Sequence, residues 1–419
     1  MKKFFTCQWM CLTQMGMLAS VLISFMGAVQ AAEPVSPENA GTLVIIGGAL
    51  RTDNAPVWEK IVQLAGGKSV KIAVIPAGAA SPENTGASLA AKLNLYGADA
   101  FVVPLSVKWK NQDVRHIAND VQIASQIRAA GGVYFSGGDQ SKITQALFNA
   151  DGTQTEVLKA IWNVYQKGGV IAGSSAGAAI MSSTMFYQPK SVLSVLQHGV
   201  TEGKELGPGL GFIGDKIFID QHLVIRGRFA RMIPAMQAKN YQIGLGIDEN
   251  TAMVIRNRNE IEIIGYKGAL LIDLTDMTSD NKIKAFNASN VKMSYLDSGD
   301  RYRIDSKTLI PSKDKLNGAI DPLNPYNAAK KFYPDILANT VVVDLMQDLI
   351  DSKHEQARGI AFGDPDGENA EQGFEFVFSK LPESKGYYSG STGVEAYTVM
   401  NIRLDIRPLV MQLPMYHYK

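Results

Sequence analysis

Short apolar runs alternate with amphipathic stretches between residues 41 and 183. Strands are predicted at TLVIIGG, VKIAVIPAG, DAFVVPLS, GGVYFSGG and GGVIAGSS, and helices at stretches between them such as SPENTGASLAAKLNLYG, NDVQIASQIRAAG and TEVLKAIWNVYQKGG. Nearly continuous apolar strands separated by helices are typical of a parallel sheet covered by helices on both faces. We therefore predict an α/β fold whose ligand-binding loops gather at the carboxyl ends of the strands.

The pattern changes after residue 183. Strands joined by short turns are predicted at DKIFIDQHLV, IGLGIDENTAMVIRN and EIEIIGYKGALLIDL, and a last hairpin at VKMSYLDSGDRYRID. Beyond them, NTVVVDLMQDLIDSK predicts a helix, and EFVFSKL and AYTVMNIRLDIRPL predict strands. We predict a first, α/β domain at residues 32–308 with added hairpins, followed by a C-terminal α+β extension, residues 309–419, that carries no chemical motif.

The amino-terminal segment has the features of a secretory signal. The chain begins MKKFF, continues with an apolar segment at about residues 10–28, and then has small residues at the positions that a signal peptidase recognises. We expect a signal peptide at residues 1–31, cleaved after Ala31 or Ala32, and a mature protein that is extracellular or periplasmic. The alternative is an uncleaved membrane anchor, which Gln14 disfavours because it interrupts the apolar run.

Composition narrows the chemistry of the mature protein. The 419 residues are 46% hydrophobic and 19% charged, with a formal net charge of +1, so no strong field favours nucleic acid or an anionic membrane as a partner. Both cysteines, Cys7 and Cys11, lie in the predicted signal, which excludes a disulfide or a cysteine nucleophile after cleavage. The histidines show no paired metal-ligand spacing, so we predict no metal and no other cofactor.

The segment GGVIAGSSAGAAIMS places a glycine on each side of Ser175. Gly173, Ser175 and Gly177 form the pattern G-x-S-x-G between a predicted strand and an apolar helix. This pattern is typical of a sharp turn that presents a nucleophilic serine, with free backbone N–H groups beside it. A tight turn lined with small residues is the alternative interpretation.

A base and an acid are also needed for a serine nucleophile. His222 ends the predicted strand KIFIDQH and is the best-placed histidine, although His198, in the segment SVLQHGV, remains an alternative. Asp248 and Glu249 follow another short strand, and either carboxylate would hold an imidazole in the required orientation.

Three arginines follow His222 in the segment DQHLVIRGRFAR. Arg226, Arg228 and Arg231 are typical of a site that holds carboxylates with forked hydrogen bonds, and a carboxylate or amide nearby would receive a cation. A solvated basic surface is the alternative.

The combination of FSGGDQ, AGSSAGA, IDQH…RGRFAR and GIDE resembles the cyanophycinases, serine peptidases related to dipeptidase E. The resemblance runs from about residue 41 to about residue 305, with the motifs in the same order, and the signal peptide resembles the extracellular branch. It implies a flavodoxin-like or class I amidotransferase-like sheet, mostly parallel. The C-terminal 110 or so residues are a departure from the compact members, and the resemblance implies no role for them.

The resemblance also implies a role for each matching residue. Ser175 is similar to the nucleophile, His222 to the base and Glu249 to the acid that orients it, while Gly138 and Ala176 resemble the oxyanion-hole donors. Six residues match the substrate pocket: Gln140, Asp220, Gln221, Arg226, Arg228 and Arg231. The implied partner is the polymer cyanophycin, which consists of a poly-aspartate backbone with arginine joined by an amide to each β-carboxylate, and the implied products are β-aspartyl-arginine dipeptides.

Other functions remain open at the level of sequence. An aspartyl or isoaspartyl dipeptidase of the same fold would share Ser175 and His222, and an inactive homologue would bind the polymer without cleaving it. An α/β-hydrolase esterase is disfavoured because its triad runs serine, acid, histidine along the chain. A glutamine amidotransferase needs cysteine in place of Ser175. The sequence does not decide between a monomer and a homodimer.

Overall fold

The computed structural model describes residues 40–326, 328–367, 369–391, 393, 395–415 and 419. The predicted signal peptide, residues 1–31, lies outside the described residues. Among the residues that are described, no helix is long and apolar enough to cross a bilayer.

The described strands and helices follow in chain order. The strands are β1 Thr42–Ile46, β2 Lys71–Ile75, β3 Asp99–Val102, β4 Gly132–Phe135, β5 Val170–Ser174, β6 Thr184–Phe186, β7 Leu206–Pro208, β8 Ile217–Gln221, β9 Ile243–Ile247, β10 Thr251–Arg256, β11 Glu260–Gly265, β12 Ala269–Asp273, β13 Ala288–Leu296, β14 Arg301–Arg303, β15 Thr308–Ile310, β16 Phe332–Tyr333, β17 Gln356–Phe362, β18 Gln372–Ser379, β19 Lys385–Ser389 and β20 Ala396–Val410. The helices are α1 Ala55–Ala65, α2 Pro82–Leu95, α3 Val114–Ala118, α4 Val121–Arg128, α5 Gln140–Leu147, α6 Glu156–Gln166, α7 Ala176–Ala179, α8 Val192–His198, α9 Phe229–Ala238 and α10 Val341–Ile350.

The first sheet contains the five strands that the sequence predicts as parallel. Its order is β15-β14-β11-β10-β1-β5-β4-β2-β3, with β1, β5, β4, β2 and β3 parallel and the remaining four strands antiparallel. Helices α1 and α2 pack on this sheet, where Trp58 stacks on Tyr134 with ring centroids 5.8 Å apart. The predicted α/β class, a largely parallel sheet flanked by helices, is confirmed.

A second sheet has the order β16-β17-β18-β20-β13-β12-β9-β8. Strand β19 pairs with residues 396–400 of β20, which precede the residues that pair with β18. The sheet is mainly antiparallel, but β8 runs parallel to β9, and β16 runs parallel to β17. Its largest buried side chains include Phe374, Phe376 and Phe378 of β18, which share a core with Met232 and Met236 of α9. The sequence predicts these strands as added hairpins and does not separate them into a second sheet.

The hairpin predicted at VKMSYLDSGDRYRID is wrong. Its first strand, β13, pairs with β12 and β20, whereas its second strand, β14, pairs with β11 and β15 in the other sheet. The turn residues between them lead the chain from one sheet to the other. Local alternation cannot reveal this, because it indicates a strand without indicating its partner.

The region beyond residue 308 is built into the second sheet. Strand β20 lies between β13 and β18, and the described residues of this region belong to the same compact unit as the first sheet. The structure thus differs from an extension appended to a finished domain, because β13 obtains one of its two hydrogen-bonding partners from the C-terminal region.

Candidate active site

Ser175 lies at a sharp turn between β5 and α7. Its backbone has φ 55° and ψ −111°, a conformation that L-residues adopt at a cost. A Cβ on Gly173 would lie 2.1 Å from the carbonyl oxygen of Gly177, and one on Gly177 would lie 2.6 Å from that of Phe135. Both glycines of the motif are therefore required by close backbone contacts, and the turn holds the serine side chain at the carboxyl end of the sheet.

His222 lies directly after β8 and meets Ser175 from the second sheet. The Ser175 Oγ is 2.8 Å from the His222 Nε2. The His222 backbone N–H donates to the Gly47 carbonyl at 3.0 Å, which joins the end of β8 to the end of β1. The site thus forms where the carboxyl ends of parallel strands from the two sheets meet, as expected for α/β sheets.

Glu249, after β9, completes a chain of hydrogen bonds. Its Oε1 lies 2.5 Å from the His222 Nδ1, so this carboxylate holds the imidazole with its Nε2 towards the serine. The neighbouring Asp248 points elsewhere, since its carboxylate accepts from the Ile225 N–H and the Lys267 ammonium. The sequence motif left Asp248 and Glu249 both open as the acid. This geometry selects Glu249.

His198 occupies a different part of the fold. It ends α8 and lines a cavity of about 520 Å³ together with residues such as Phe286 and Gln237. The structure does not bring it to the Ser175–His222 pair.

The protonation of His222 follows from its surroundings. Burial lowers the pKa of His222; the hydrogen bond to Glu249 opposes this, and the positive charges of Arg226 and Arg228 lower it further. Because the ordinary pKa of histidine is about 6.5, the imidazole is neutral at pH 7 and its Nε2 can accept the Ser175 proton.

Two backbone N–H groups are candidates for holding an anion: that of Ala176, which directly follows Ser175, and that of Gly138, which follows Gly137. Neither the Gly138 N–H nor the Ala176 N–H donates a hydrogen bond within the described part of the chain. Gly137 lies against the serine, since a Cβ there would be 3.7 Å from the Ser175 Oγ. The resemblance predicts these two N–H groups as the oxyanion hole, and that role stays a prediction.

Arg226 and Arg228 lie close enough to His222 for their charges to act on it, but they differ in exposure. Arg226 is exposed, and no described residue forms a hydrogen bond or ion pair with its guanidinium. Arg228 is half-buried, and its Nη1 donates to both the backbone carbonyl and the Oε1 of Gln221. Burial lowers the pKa of Arg228 to about 10, so it remains charged at neutral pH.

Arg231 and Asp220 bind each other. Arg231 Nε lies 2.9 Å from Asp220 Oδ2, Arg231 Nη2 lies 3.0 Å from Asp220 Oδ1, and only 3% of Arg231 and 1% of Asp220 are exposed. The guanidinium also packs on the Phe186 ring at 4.1 Å. This arrangement differs from the expected contacts with substrate, because the Arg231 guanidinium and the Asp220 carboxylate bind each other inside the protein.

Gln140 begins α5 beside the Gly138 turn. Its Nε2 donates to the Phe186 carbonyl, which leaves the amide oxygen as an acceptor on a half-buried side chain. A cavity of about 240 Å³ is bordered by Gly137, Gly138 and Ser174 and by apolar side chains that include Trp58 and Leu89.

Gly48 is a site residue that the sequence analysis did not identify. It follows β1 with φ 128°, and a Cβ at this position would lie 2.2 Å from His222 Cε1 and 2.4 Å from His222 Nε2. Only a residue without a side chain leaves room for the imidazole. The available signal was the Gly-Gly pair that ends the first predicted strand.

We expect Gly48→Ala to lower the turnover number by at least about a hundredfold, because the added methyl group displaces the imidazole from Ser175. The measurement is the hydrolysis rate together with the unfolding midpoint. Gly97→Ala is the matched control: Gly97 also has a positive φ, 98°, but a Cβ there meets nothing within 4 Å. If both variants keep full activity, Gly48 does not position His222.

Known proteins similar to this chain share the region that contains the site. The sequence model of peptidase family S51 matches residues 43–263, a little more than half of the chain. The cyanophycinase of Trichormus variabilis is 26% identical over 293 residues, which cover 67% of this chain and 92% of that protein. The cyanophycinase of Geminocystis herdmanii is 28% identical over 268 residues, which cover 62% of this chain and 93% of that protein.

Solved structures are also similar. A peptidase from an acI-B1 Actinobacterium superposes with a TM-score of 0.46 at 19% identity, covering 63% of this chain and 97% of that one. A peptidase E protein from Listeria monocytogenes, described as putative, superposes with a TM-score of 0.36 at 15% identity, covering 54% of this chain and 99% of that one.

Proposed function

This chain belongs to peptidase family S51 and is a serine-type peptidase, and on that premise we propose that it hydrolyses cyanophycin to β-aspartyl-arginine dipeptides through an acyl-enzyme. The observation that carries the proposal is the hydrogen-bonded chain Ser175–His222–Glu249 with the exposed guanidinium of Arg226 beside it. The similarity to cyanophycinases over about two thirds of the chain supports the choice of polymer.

The proposed reaction has two stages. Ser175 Oγ attacks the carbonyl carbon of a backbone amide while its proton moves to His222 Nε2, and the oxyanion is held by the N–H groups of Gly138 and Ala176. The C–N bond then breaks, and His222 gives the proton to the leaving amine. A water molecule next attacks the ester, His222 takes its proton, and Ser175 leaves as a hydroxyl group when that proton is returned.

The charges around the serine suit a substrate that carries both signs. Each cyanophycin repeat has one free α-carboxylate on its arginine, and we propose that the exposed guanidinium of Arg226 and the half-buried Arg228 bind it. Three of the matched pocket residues, Gln140, Asp220 and Gln221, carry an oxygen that could accept from the substrate guanidinium. Asp220 is already bound by Arg231, and Gln221 by Arg228. The amide oxygen of Gln140 is therefore the acceptor that we propose for the substrate guanidinium.

The test is to incubate the purified mature protein with cyanophycin and to identify the products by mass, with the Ser175→Ala variant as the control. We expect β-aspartyl-arginine from the wild-type protein alone. Cleavage of short β-aspartyl dipeptides without cleavage of the polymer would indicate an isoaspartyl dipeptidase. Polymer binding without any product or fluorophosphonate labelling would indicate an inactive binding protein.

We also propose that the protein is exported. Two arguments support export. Residues 1–31 have the features of a secretory signal, and a polymer outside the cell can be reached only by an enzyme that is exported. The amino-terminal sequence of the protein recovered from outside the cytoplasm should begin at Ala32 or Glu33.

A further inference from the structure

The position of the Glu249 carboxylate depends on the backbone that carries it. Within the described part of the chain, the only hydrogen bond of this carboxylate is the one to His222 Nδ1. No second side-chain contact among those residues fixes its direction, so the carboxylate points where the backbone of residues 249 and 250 directs it. Groups that fix this backbone therefore also help to orient the imidazole.

Asn250, the residue after the acid, is held by the loop that follows β1. Its N–H donates to the Gly48 carbonyl at 2.8 Å. Its Oδ1 accepts from the Arg51 N–H at 3.1 Å and from Asn54 Nδ2 at 2.9 Å, and its carbonyl accepts from the same Nδ2, also at 2.9 Å. Asn250 has φ 55°, a conformation that asparagine adopts more readily than most residues. One loop thus supports the acid and, through Gly48, leaves room for the base.

Asn54 is fully buried and directly precedes helix α1. An asparagine at this position ordinarily caps the helix by accepting an N–H of the first turn with its side-chain oxygen. The Asn54 side chain makes no such bond, and its Oδ1 accepts from none of the described residues. Both of its hydrogen bonds go through Nδ2 to Asn250. The amide therefore supports the Asn250 turn and not the helix.

We propose that Asn54 is a positioning residue: by fixing Asn250 it holds the Glu249 carboxylate on His222 Nδ1, and so keeps the imidazole directed at Ser175. The inference goes beyond the proposed cleavage of cyanophycin, because it concerns the activation of Ser175 towards any substrate.

The test is the substitution Asn54→Leu, which removes the donor and keeps a neutral, branched side chain. The readout is the rate at which a fluorophosphonate labels Ser175, measured over a range of pH, so no knowledge of the substrate is required. We expect labelling near pH 7 to be about tenfold slower or more, because a small displacement of the imidazole is sufficient to impair proton transfer.

The acid limb of the same profile reports the pKa of His222. Glu249 raises this pKa through its hydrogen bond, while burial and the charges of Arg226 and Arg228 lower it. Asn54→Leu leaves both arginines in place and weakens the contact with Glu249, so the pKa should fall and the acid limb should move to lower pH. A loss of stability that left Glu249 in position would not move the limb.

A matched control is Asn287→Leu. The Asn287 amide also holds a turn, since its Oδ1 accepts from the Asp280 N–H at 2.7 Å and its Nδ2 donates to the Asp280 carbonyl at 3.1 Å. Asn287 lines the cavity that contains His198, away from the serine. This variant should keep the wild-type labelling rate and acid limb, whatever its stability.

A second control uses the acid itself. In a Glu249→Gln background, Asn54→Leu should add little further loss, because both changes act through one contact. An equal loss in both backgrounds, or an acid limb that does not move, would overturn the inference even if labelling were slower.

Two further measurements keep the inference testable. If Asn54→Leu does not fold, Asn250→Gly removes the Oδ1 that accepts from Asn54 and Arg51 while tolerating the positive φ, and it should shift the limb in the same direction. Proton NMR of the His222 Nδ1–H, which resonates at low field when bound to a carboxylate, needs no reaction. This resonance should be lost or move to higher field in Asn54→Leu and persist in Asn287→Leu; an unchanged resonance in Asn54→Leu would contradict the positioning role.

Discussion

Ser175→Ala is expected to lower hydrolysis by at least about a thousandfold while the unfolding midpoint stays close to that of the wild type. The variant removes the oxygen that lies 2.8 Å from His222 Nε2 and leaves the backbone of the turn unchanged. The positive φ at this position strains alanine as much as serine, so the substitution adds no backbone strain. Hydrolysis rate, fluorophosphonate labelling and chemical denaturation measure the three parts of this prediction.

Two further variants, His222→Ala and its combination with Ser175→Ala, test whether Ser175 and His222 act together in one proton transfer. His222→Ala should be about as inactive as Ser175→Ala, and combining them should add little, because residues that act in one proton transfer are not additive. Ser174→Ala is the matched control, since this neighbouring serine lines the same cavity as Tyr134 and forms no described hydrogen bond with His222. Activity of Ser175→Ala within tenfold of the wild type, with normal folding, would exclude Ser175 as the nucleophile.

The second large effect is expected from the buried ion pair. Arg231→Met should lower the free energy of unfolding by about 3–5 kcal/mol, because it leaves the buried carboxylate of Asp220 without its partner. Replacing both members, Arg231→Met with Asp220→Leu, should recover much of the loss, since the uncompensated charge is then removed as well. Denaturant unfolding of the two single variants and the double variant gives the interaction energy.

Arg226 provides the contrasting case. Arg226→Lys should leave stability unchanged, because the side chain is exposed and has no described partner. It should lower kcat/KM on cyanophycin by about tenfold or more, because an ammonium group does not reproduce a forked contact with a carboxylate.

If Arg231→Met instead raised KM and left unfolding unchanged, Arg231 would contact substrate and the buried pair would not be structural.

Local patterns were sufficient for the parts of the fold that depend on consecutive residues. The five parallel strands and helices such as α2, α6 and α10 lie within the segments that the apolar periodicity predicts. The pairing of strands was not accessible in this way. Strand β13 pairs with β20, more than a hundred residues further along the chain, and not with β14, which follows it directly.

In the candidate site, too, the sequence indicated some residues and only the tertiary structure decided others. The motif G-x-S-x-G singles out Ser175 because a turn between a strand and a helix needs small residues on both sides. The position of His222 at a strand end made it the preferred histidine, but only its 2.8 Å contact with Ser175 Oγ separates it from His198. The Gly-Gly pair at the end of the first strand marks Gly48 but does not indicate its role, since the side chain that it must avoid is 174 residues away in the sequence.

By itself, the sequence determined the α/β class and the elbow at Ser175. These are consequences of hydrophobic periodicity and of the backbone freedom of glycine, which act over a few neighbouring residues. The tertiary structure alone decided that Glu249 and not Asp248 holds the imidazole, and that Arg231 is bound by Asp220 while Arg226 is left exposed. Chemically equivalent side chains acquire different roles because each role depends on the partner within about 3 Å, and distant segments supply that partner only after the chain has folded.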